Sequence, residues 1–215
     1  MLKEIFIGRQ PSHFQVNNIV KSFIFGETLL WTSWNFVMPI FALFTITVPG
    51  GNVEIAASSY SVYLVVRVFG ELISGRMLTH SGELRKFLIT ILGMLIMSLG
   101  YLGFSITKNV ASIYLYYAII GIGLGIASPA KNSLFSTHLD KNAETLEWGM
   151  LDASVFLCMA LSAVTGGFVA TKYGFSILFI VSAIVNLAGI IPYLLYIRHE
   201  ETWREKIRSC LNKTL

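Results

Sequence analysis

The chain has 215 residues, of which 54% are hydrophobic and only 13% are charged, and its formal net charge is +4. A soluble globular protein carries about 25% charged residues because its surface must be hydrated. The mean hydropathy of +0.67, with charges clustered between long apolar runs, excludes a soluble domain and indicates a polytopic membrane protein. The basic residues are spread between those runs, so we expect no nucleic-acid partner. Cys158 and Cys210 are too few for a disulfide framework.

Six runs are long enough to cross a bilayer core of about 30 Å, which takes roughly 20 apolar helical residues. They cover residues 19–45, 55–78, 87–106, 109–130, 153–171 and 173–197. Gly50, Gly51 and Asn52 indicate a turn between the first two runs, and Pro39 should kink the first helix. We predict an all-α membrane protein with a six-helix domain at residues 18–198. Short cytoplasmic segments at residues 1–17 and 199–215 should flank this domain in the lipid bilayer.

The basic residues predict the orientation, because cytoplasmic loops carry an excess of Lys and Arg. With a cytoplasmic amino terminus, thirteen of the sixteen Lys and Arg lie inside, Lys108 and Lys172 lie outside, and Arg67 lies within a span. Both termini are therefore expected in the cytoplasm. The short loops offer no glycosylated ectodomain, so a plasma membrane of prokaryotic type is the simplest expectation.

Two loops share one pattern of small and polar residues. Gly75, Thr79, His80 and Gly82 follow the second apolar run, and Gly167, Thr171, Lys172 and Gly174 follow the fifth at the same spacing. A chance match is the alternative, because glycines are common at helix ends. Each copy, however, ends the second helix of a three-helix unit, and inverted three-helix repeats are an organisation found in secondary transporters. We predict two inverted three-helix repeats.

The first of these loops resembles the loop between the second and third helices of the major facilitator superfamily. In that family a glycine, an acidic residue, an arginine and a glycine precede basic residues; here Gly75, Gly82, Arg85 and Lys86 fit. Thr79 stands in place of the family's aspartate and His80 in place of its arginine. The aspartate is thought to help to hold a gate between two six-helix halves, and Thr79 lacks its charge. Residues 121–132 and 147–149 extend the resemblance over nearly the whole chain, which would form one such half.

Five polar or aromatic residues of the first two spans are candidates for a substrate or proton pathway: Glu27, Trp31, Asn35, Arg67 and Glu71. Ionisable residues within a span are costly and are usually paired and functional. Arg67 and Glu71 share a helix face, and Glu27 has a similar depth on the sequential neighbour. We predict a network of one cation and two acids, in which the unbalanced acid can carry a proton. A static ion pair that fixes helix packing stays open, as does plain packing for Trp31 and Asn35.

Further charges lie nearer the cytoplasm. Lys131, near the end of the fourth span, and Asp152, near the start of the fifth, are predicted as a secondary charge pair; two separately snorkelling side chains are the alternative. Glu147 and its acidic neighbours in the preceding loop should be solvated, and the resemblance implies that Arg85 and Lys86 can dock against them. Small residues at positions 121 and 125, and at 163 and 167, should form close helix-packing faces.

No set of residues indicates catalysis or a cofactor. The four histidines lack the spacing of metal ligands, and the glycines of residues 121–125 lack the lysine and the preceding strand of a phosphate loop. We therefore expect no enzyme, no metal and no cofactor.

The leading hypothesis is transport of a small-molecule substrate by alternating access, with proton coupling as an option. The chain would dimerise with a second copy of itself or with a separately encoded six-helix half. The alternative is a non-transporting membrane protein of the same fold that acts as an assembly or regulatory partner. Thr79 and the lack of a second half favour this alternative, whereas the charges within the membrane favour transport.

Overall fold

The structure, a computed structural model, describes residues 16–199. This part is helical and contains no strand, and six of its segments are long and apolar enough to cross a membrane. We name them spans 1 to 6: Asn18–Thr47, Val53–Leu78, Glu83–Ser105, Val110–His138, Glu144–Tyr173 and Phe175–Ile197. The prediction of an all-α integral membrane protein with six spans is confirmed. Apart from residues 16, 17 and 199, the two predicted cytoplasmic segments lie outside the described residues.

Asparagine side chains begin three of the spans. The Oδ1 atoms of Asn17, Asn52 and Asn109 accept hydrogen bonds of 3.0, 2.8 and 2.9 Å from backbone N–H groups in the first helical turn. Such caps satisfy donors that have no partner within the helix. Gly174 alone separates spans 5 and 6, and its φ of +85° is a conformation that glycine adopts without strain.

Two spans are broken within the membrane. Span 1 consists of helix Asn18–Val37, the 3₁₀ turn Met38–Ile40 and helix Phe41–Thr47. Pro39 has no backbone N–H to donate, so the kink predicted at this residue is confirmed. Span 6 divides into helices Phe175–Ala188 and Ile191–His199 at a turn that begins with Gly189. This second break is not among the features predicted from the sequence.

The packing of the spans follows the predicted inverted repeat. Span 1 packs on span 5 and span 2 on span 4, while span 3 packs on spans 4 and 6 and span 6 also contacts span 1. If spans 1, 2 and 3 are equated with spans 4, 5 and 6, each of these contacts maps onto another of them or onto itself. The repeated loops also agree: Thr79 Oγ1 donates to the Gly75 carbonyl at 2.9 Å, and Thr171 Oγ1 to the Gly167 carbonyl at 2.8 Å.

Small residues bring helix backbones into contact. A Cβ atom at Gly121 would lie 2.7 Å from the Tyr63 carbonyl oxygen, and one at Gly125 would lie 2.8 Å from that of Arg67. The packing face predicted on span 4 is therefore present. The face predicted on span 5 is wrong by one residue, because a Cβ atom at Gly166 would meet the backbone of Phe36, whereas one at Gly167 would have no contact within 4 Å.

Spans 2 and 5 form the open side of the bundle. In their most apolar windows only 17% of each is buried within the protein, compared with 56% for span 3 and 50% for span 6. Their exposed side chains are mostly large and apolar, including Val68, Phe69 and Leu72 on span 2 and Phe156, Leu161 and Val164 on span 5. Lipid or a second membrane protein can cover such faces, whereas water cannot do so without cost.

Candidate functional site

A buried ion pair joins spans 1 and 4. Lys131 Nζ donates to Glu27 Oε2 at 2.7 Å, and the lysine and glutamate side chains are only 6% and 9% exposed. Glu27 precedes the centre of span 1 by about 8 Å, and Lys131 follows the centre of span 4 by about 10 Å, at 1.5 Å per residue. Because the two spans run in opposite directions, both residues lie towards the membrane face where span 1 begins. We call this face the N side.

Two aromatic residues complete the surroundings of Glu27. Trp31 Nε1 donates to Glu27 Oε2 at 3.1 Å from one helical turn away. Tyr193, just after the break in span 6, donates its hydroxyl to Glu27 Oε1 at 3.5 Å. Gly26 allows the tyrosine ring to approach, because a Cβ at this position would lie 2.8 Å from Tyr193 Cε2. Burial of the carboxylate is thus compensated by an ammonium group and two neutral donors.

Arg67 and Glu71 form a separate pair on span 2. Arg67 Nε donates to Glu71 Oε1 at 2.7 Å, and Arg67 Nη1 donates to the Tyr63 hydroxyl at 3.1 Å. Their shared helix face, predicted from the i, i+4 spacing, is confirmed. The side chains remain 27% and 37% exposed near the middle of the membrane.

The predicted network of Glu27, Arg67 and Glu71 is wrong. Its premise was that spans 1 and 2 pack as neighbours, but the half of span 1 that carries Glu27 packs on spans 5 and 6. Lys131 reaches Glu27 instead. The predicted pairing of Lys131 with Asp152 is also not formed, because the Lys131 ammonium group forms its ion pair with Glu27.

An open cleft of about 210 Å³ lies beside the buried pair. Its walls are Glu27 and Trp31 of span 1, together with Asp152, Phe156 and three further apolar side chains of span 5. Asn35, also a predicted site residue, ties the same two spans together by donating from Nδ2 to the Met159 carbonyl at 2.6 Å. The cleft therefore brings together Glu27, Trp31 and Asp152, whereas Asn35 is not one of its lining residues.

The loop with the repeated glycine pattern lies at the N-side end of spans 2 and 3. Thr79, His80 and Arg85 are exposed, and Gly82 precedes the first turn of span 3. Lys86 Nζ donates to Ser133 Oγ of span 4 at 2.8 Å rather than to an acidic residue.

Glu147 at the start of span 5 is fully buried, so the prediction that it is solvated is wrong. It accepts a 2.9 Å hydrogen bond from the backbone N–H of Asp140 and so holds the preceding loop closed.

Sequence analysis missed three partners of the site: Tyr193, Tyr63 and Ser133. Only Tyr63 had a local signal, since it lies four residues before Arg67 on the same helix face. The other two come from distant spans. Among residues 16–199, no group of three or more His, Cys, Asp or Glu could hold a metal ion.

The family model of the Major Facilitator Superfamily matches residues 23–209. The chain belongs to the major facilitator superfamily. This superfamily member has no significant match among curated protein sequences. Membership in a family of membrane transporters points to a transporter rather than an enzyme.

Solved structures show the same fold at low sequence identity. A crystal structure of peptide transporter POT in complex with sulfate has a TM-score of 0.74 at 16% identity, and covers 94% of this chain and 45% of its own. A mutant of peptide transporter POT in complex with alafosfalin has a TM-score of 0.72 at 16% identity. This match covers 91% of this chain and 44% of the transporter chain. The in meso crystal structure of the POT family transporter PepTSo has a TM-score of 0.71 at 16% identity. This match covers 85% of this chain and 38% of the PepTSo chain. This superfamily member thus spans less than half the length of these structures and has the fold of one six-helix half.

Proposed function

We propose that this chain is a six-helix unit of a small-solute transporter that works by alternating access, with Glu27 as the group that takes up and releases a proton. One observation carries the proposal: Glu27, the carboxylate of a buried carboxylate–ammonium pair, lines an open cleft between spans 1 and 5. A static structural pair needs no such opening, whereas a coupling group must reach both a proton source and the solute.

The pair can couple protonation to conformation because its two charges depend on each other. A proton on Glu27 removes the negative charge and leaves Lys131 buried without a counter-ion, which is costly in a medium of low dielectric constant. Proton uptake therefore favours an arrangement in which Lys131 reaches water or an anionic group. Loss of the proton favours the closed pair, so the proton biases an equilibrium between two states.

A second six-helix unit is required by this proposal, because one unit has no opposing wall for a central cavity. Spans 2 and 5 are the most exposed spans of the bundle. The side chains of Arg67 and Glu71 on span 2 are also partly exposed. A charge exposed to lipid costs a few kcal/mol on insertion scales. A second copy or a separately encoded half would remove this cost, and twofold dimers are the commonest oligomers.

Glu27→Gln should abolish solute-driven proton movement and retain solute exchange. Glutamine keeps the shape of the side chain and a hydrogen-bond acceptor for Trp31, but its amide is not an acid–base group and does not take up a proton. Proteoliposomes loaded with a pH-sensitive dye are given peptides, because solved neighbours are peptide transporters, and small primary amines. Glu54→Gln, in the exposed first turn of span 2, is the matched control. Proton movement in Glu27→Gln equal to that of the parent would contradict the proton role. Absence of flux in the parent chain for every probe would favour the assembly-partner alternative.

The purified protein should contain two six-helix units. Light scattering in nanodiscs, corrected for lipid, should give twice the chain mass of 23.9 kDa for a homodimer, or one chain plus a co-purified half for a heterodimer. Reconstitution at one chain per vesicle provides the control, because a dimer-dependent flux should then disappear. A monomer that still catalyses flux under those conditions would contradict the proposal.

We also propose that the N side is the cytoplasmic face of a prokaryotic-type plasma membrane. In a variant with Cys158 and Cys210 replaced by serine, cysteines at Lys108 and Lys172 should react with an impermeant maleimide in intact cells. A cysteine at Lys141 should react only after permeabilisation. All three positions are exposed on the protein surface, so a difference in labelling reports the side of the membrane rather than burial within the protein. The reverse labelling pattern would invert the topology.

A further inference from the structure

Among the described residues, acidic side chains and no basic one line the cleft between spans 1 and 5. Glu27 and Asp152 both line it. Lys131, which balances the charge of Glu27, is 6% exposed and is not part of the cleft wall. Asp152 is exposed, and within residues 16–199 its carboxylate has no ion-pair or hydrogen-bond partner. The cleft therefore carries one negative charge that no described residue neutralises.

Aromatic side chains form part of the same walls. Trp31 is held in place by its 3.1 Å hydrogen bond to Glu27. Phe156 is exposed, lines the cleft and follows Asp152 by four residues on span 5, which places the two on the same helix face. Organic ammonium groups are attracted to the faces of tryptophan and phenylalanine rings as well as to carboxylates. Because Trp31 is already fixed, little side-chain entropy is lost when a ligand packs against it.

We propose that this cleft binds the ammonium group of a small organic cation, with Asp152 as its counter-ion and Trp31 and Phe156 as its aromatic wall. This inference rests on the proposed function and names the substrate class of the same site. The volume of about 210 Å³ is several times that of one water, about 30 Å³. It is below the roughly 300–1,000 Å³ of sites for drug-sized ligands. The cleft thus fits an amine-bearing group rather than a large drug.

Anionic and neutral ligands are disfavoured by the same geometry. An anion in the cleft would face two carboxylates, whereas Lys131, the ion-pair partner of Glu27, does not line the cleft. A neutral ligand of equal size would gain the apolar contacts but would leave Asp152 without a counter-ion. The cleft should therefore discriminate by charge among ligands of the same shape.

The test is equilibrium binding to the full chain in nanodiscs, so that it does not depend on flux. Phenethylammonium is the probe, and 2-phenylethanol and phenylacetate are its neutral and anionic counterparts. Isothermal titration calorimetry should show binding of phenethylammonium about tenfold or more tighter than either counterpart, because only the cation neutralises Asp152. Asp152→Asn should remove this preference, and its exposed side chain makes the change tolerable for folding.

Glu144→Gln is the matched control, since Glu144 is exposed on the same helix but does not line the cleft. Phenethylammonium should bind this variant as it binds the parent. Equal binding of the three ligands, unchanged cation binding in Asp152→Asn, or no binding of phenethylammonium would each overturn the proposal. Cation binding without any flux would support the cleft and contradict the transport function, so the two failures are distinguishable.

Discussion

Replacing Lys131 by methionine should lower the free energy of unfolding by about 3–5 kcal/mol, the typical cost of removing one partner from a buried ion pair. Methionine fills much of the same space, so the loss comes from the charge of Glu27 rather than from a cavity. Trp31 and Tyr193 would still donate hydrogen bonds to the carboxylate, but neither supplies a positive charge. Denaturation of the purified chain in mixed micelles, followed by tryptophan fluorescence, measures the effect.

The double variant Lys131→Met, Glu27→Gln should recover most of this loss, because neither member of the pair then carries a charge. Such a recovery identifies the partner of Lys131 by coupling rather than by proximity. Arg67→Met provides the comparison: Glu71→Gln should rescue it and Glu27→Gln should not, since Arg67 pairs with Glu71. If Lys131→Met alone is as stable as the parent, Glu27 and Lys131 do not form a buried pair.

Gly125→Ala should destabilise the chain by about 1–3 kcal/mol, the usual cost of overpacking a tight interface. The new Cβ would lie 2.8 Å from the Arg67 carbonyl oxygen and 3.1 Å from Gly70 Cα. Both contacts are to backbone atoms of span 2, which cannot move away as a flexible side chain can. Spans 2 and 4 must therefore separate, and the thermal unfolding midpoint of the protein in detergent should fall.

Gly167→Ala is the matched control, because it adds the same methyl group to a helical glycine at which a Cβ atom would have no contact within 4 Å. This variant should be neutral or slightly stabilised, since alanine favours the helix over glycine by about 1 kcal/mol. Gly166→Ala, one residue earlier, should be destabilised, because its Cβ meets the Phe36 backbone on span 1. Equal stability of Gly125→Ala and Gly167→Ala would show that spans 2 and 4 do not approach as closely as described.

The number of spans and several local features could be predicted because they depend on short-range physics. An apolar helical run of about 20 residues matches the thickness of the bilayer core wherever it lies in the chain. The kink in span 1 follows from the missing N–H of Pro39. The pair of Arg67 and Glu71 follows from the helical repeat, which places residues four apart on one face. The inverted repeat could also be predicted, because the spacing of Gly75 and Thr79 recurs in Gly167 and Thr171.

The partner of each buried charge was decided only by the tertiary structure. Spans 1 and 2 are adjacent in sequence, but Glu27 lies on the part of span 1 that packs on spans 5 and 6. Lys131, which is 104 residues away, therefore neutralises it. Asp152 is thereby left in the cleft without a counter-ion in the part of the chain that the structure describes. Hydropathy and spacing describe one helix at a time, whereas an ion pair depends on which helices meet and on the rotation of each about its own axis. The one-residue shift from Gly167 to Gly166 on span 5 has the same origin, since a rotation of about 100° changes which glycine faces span 1.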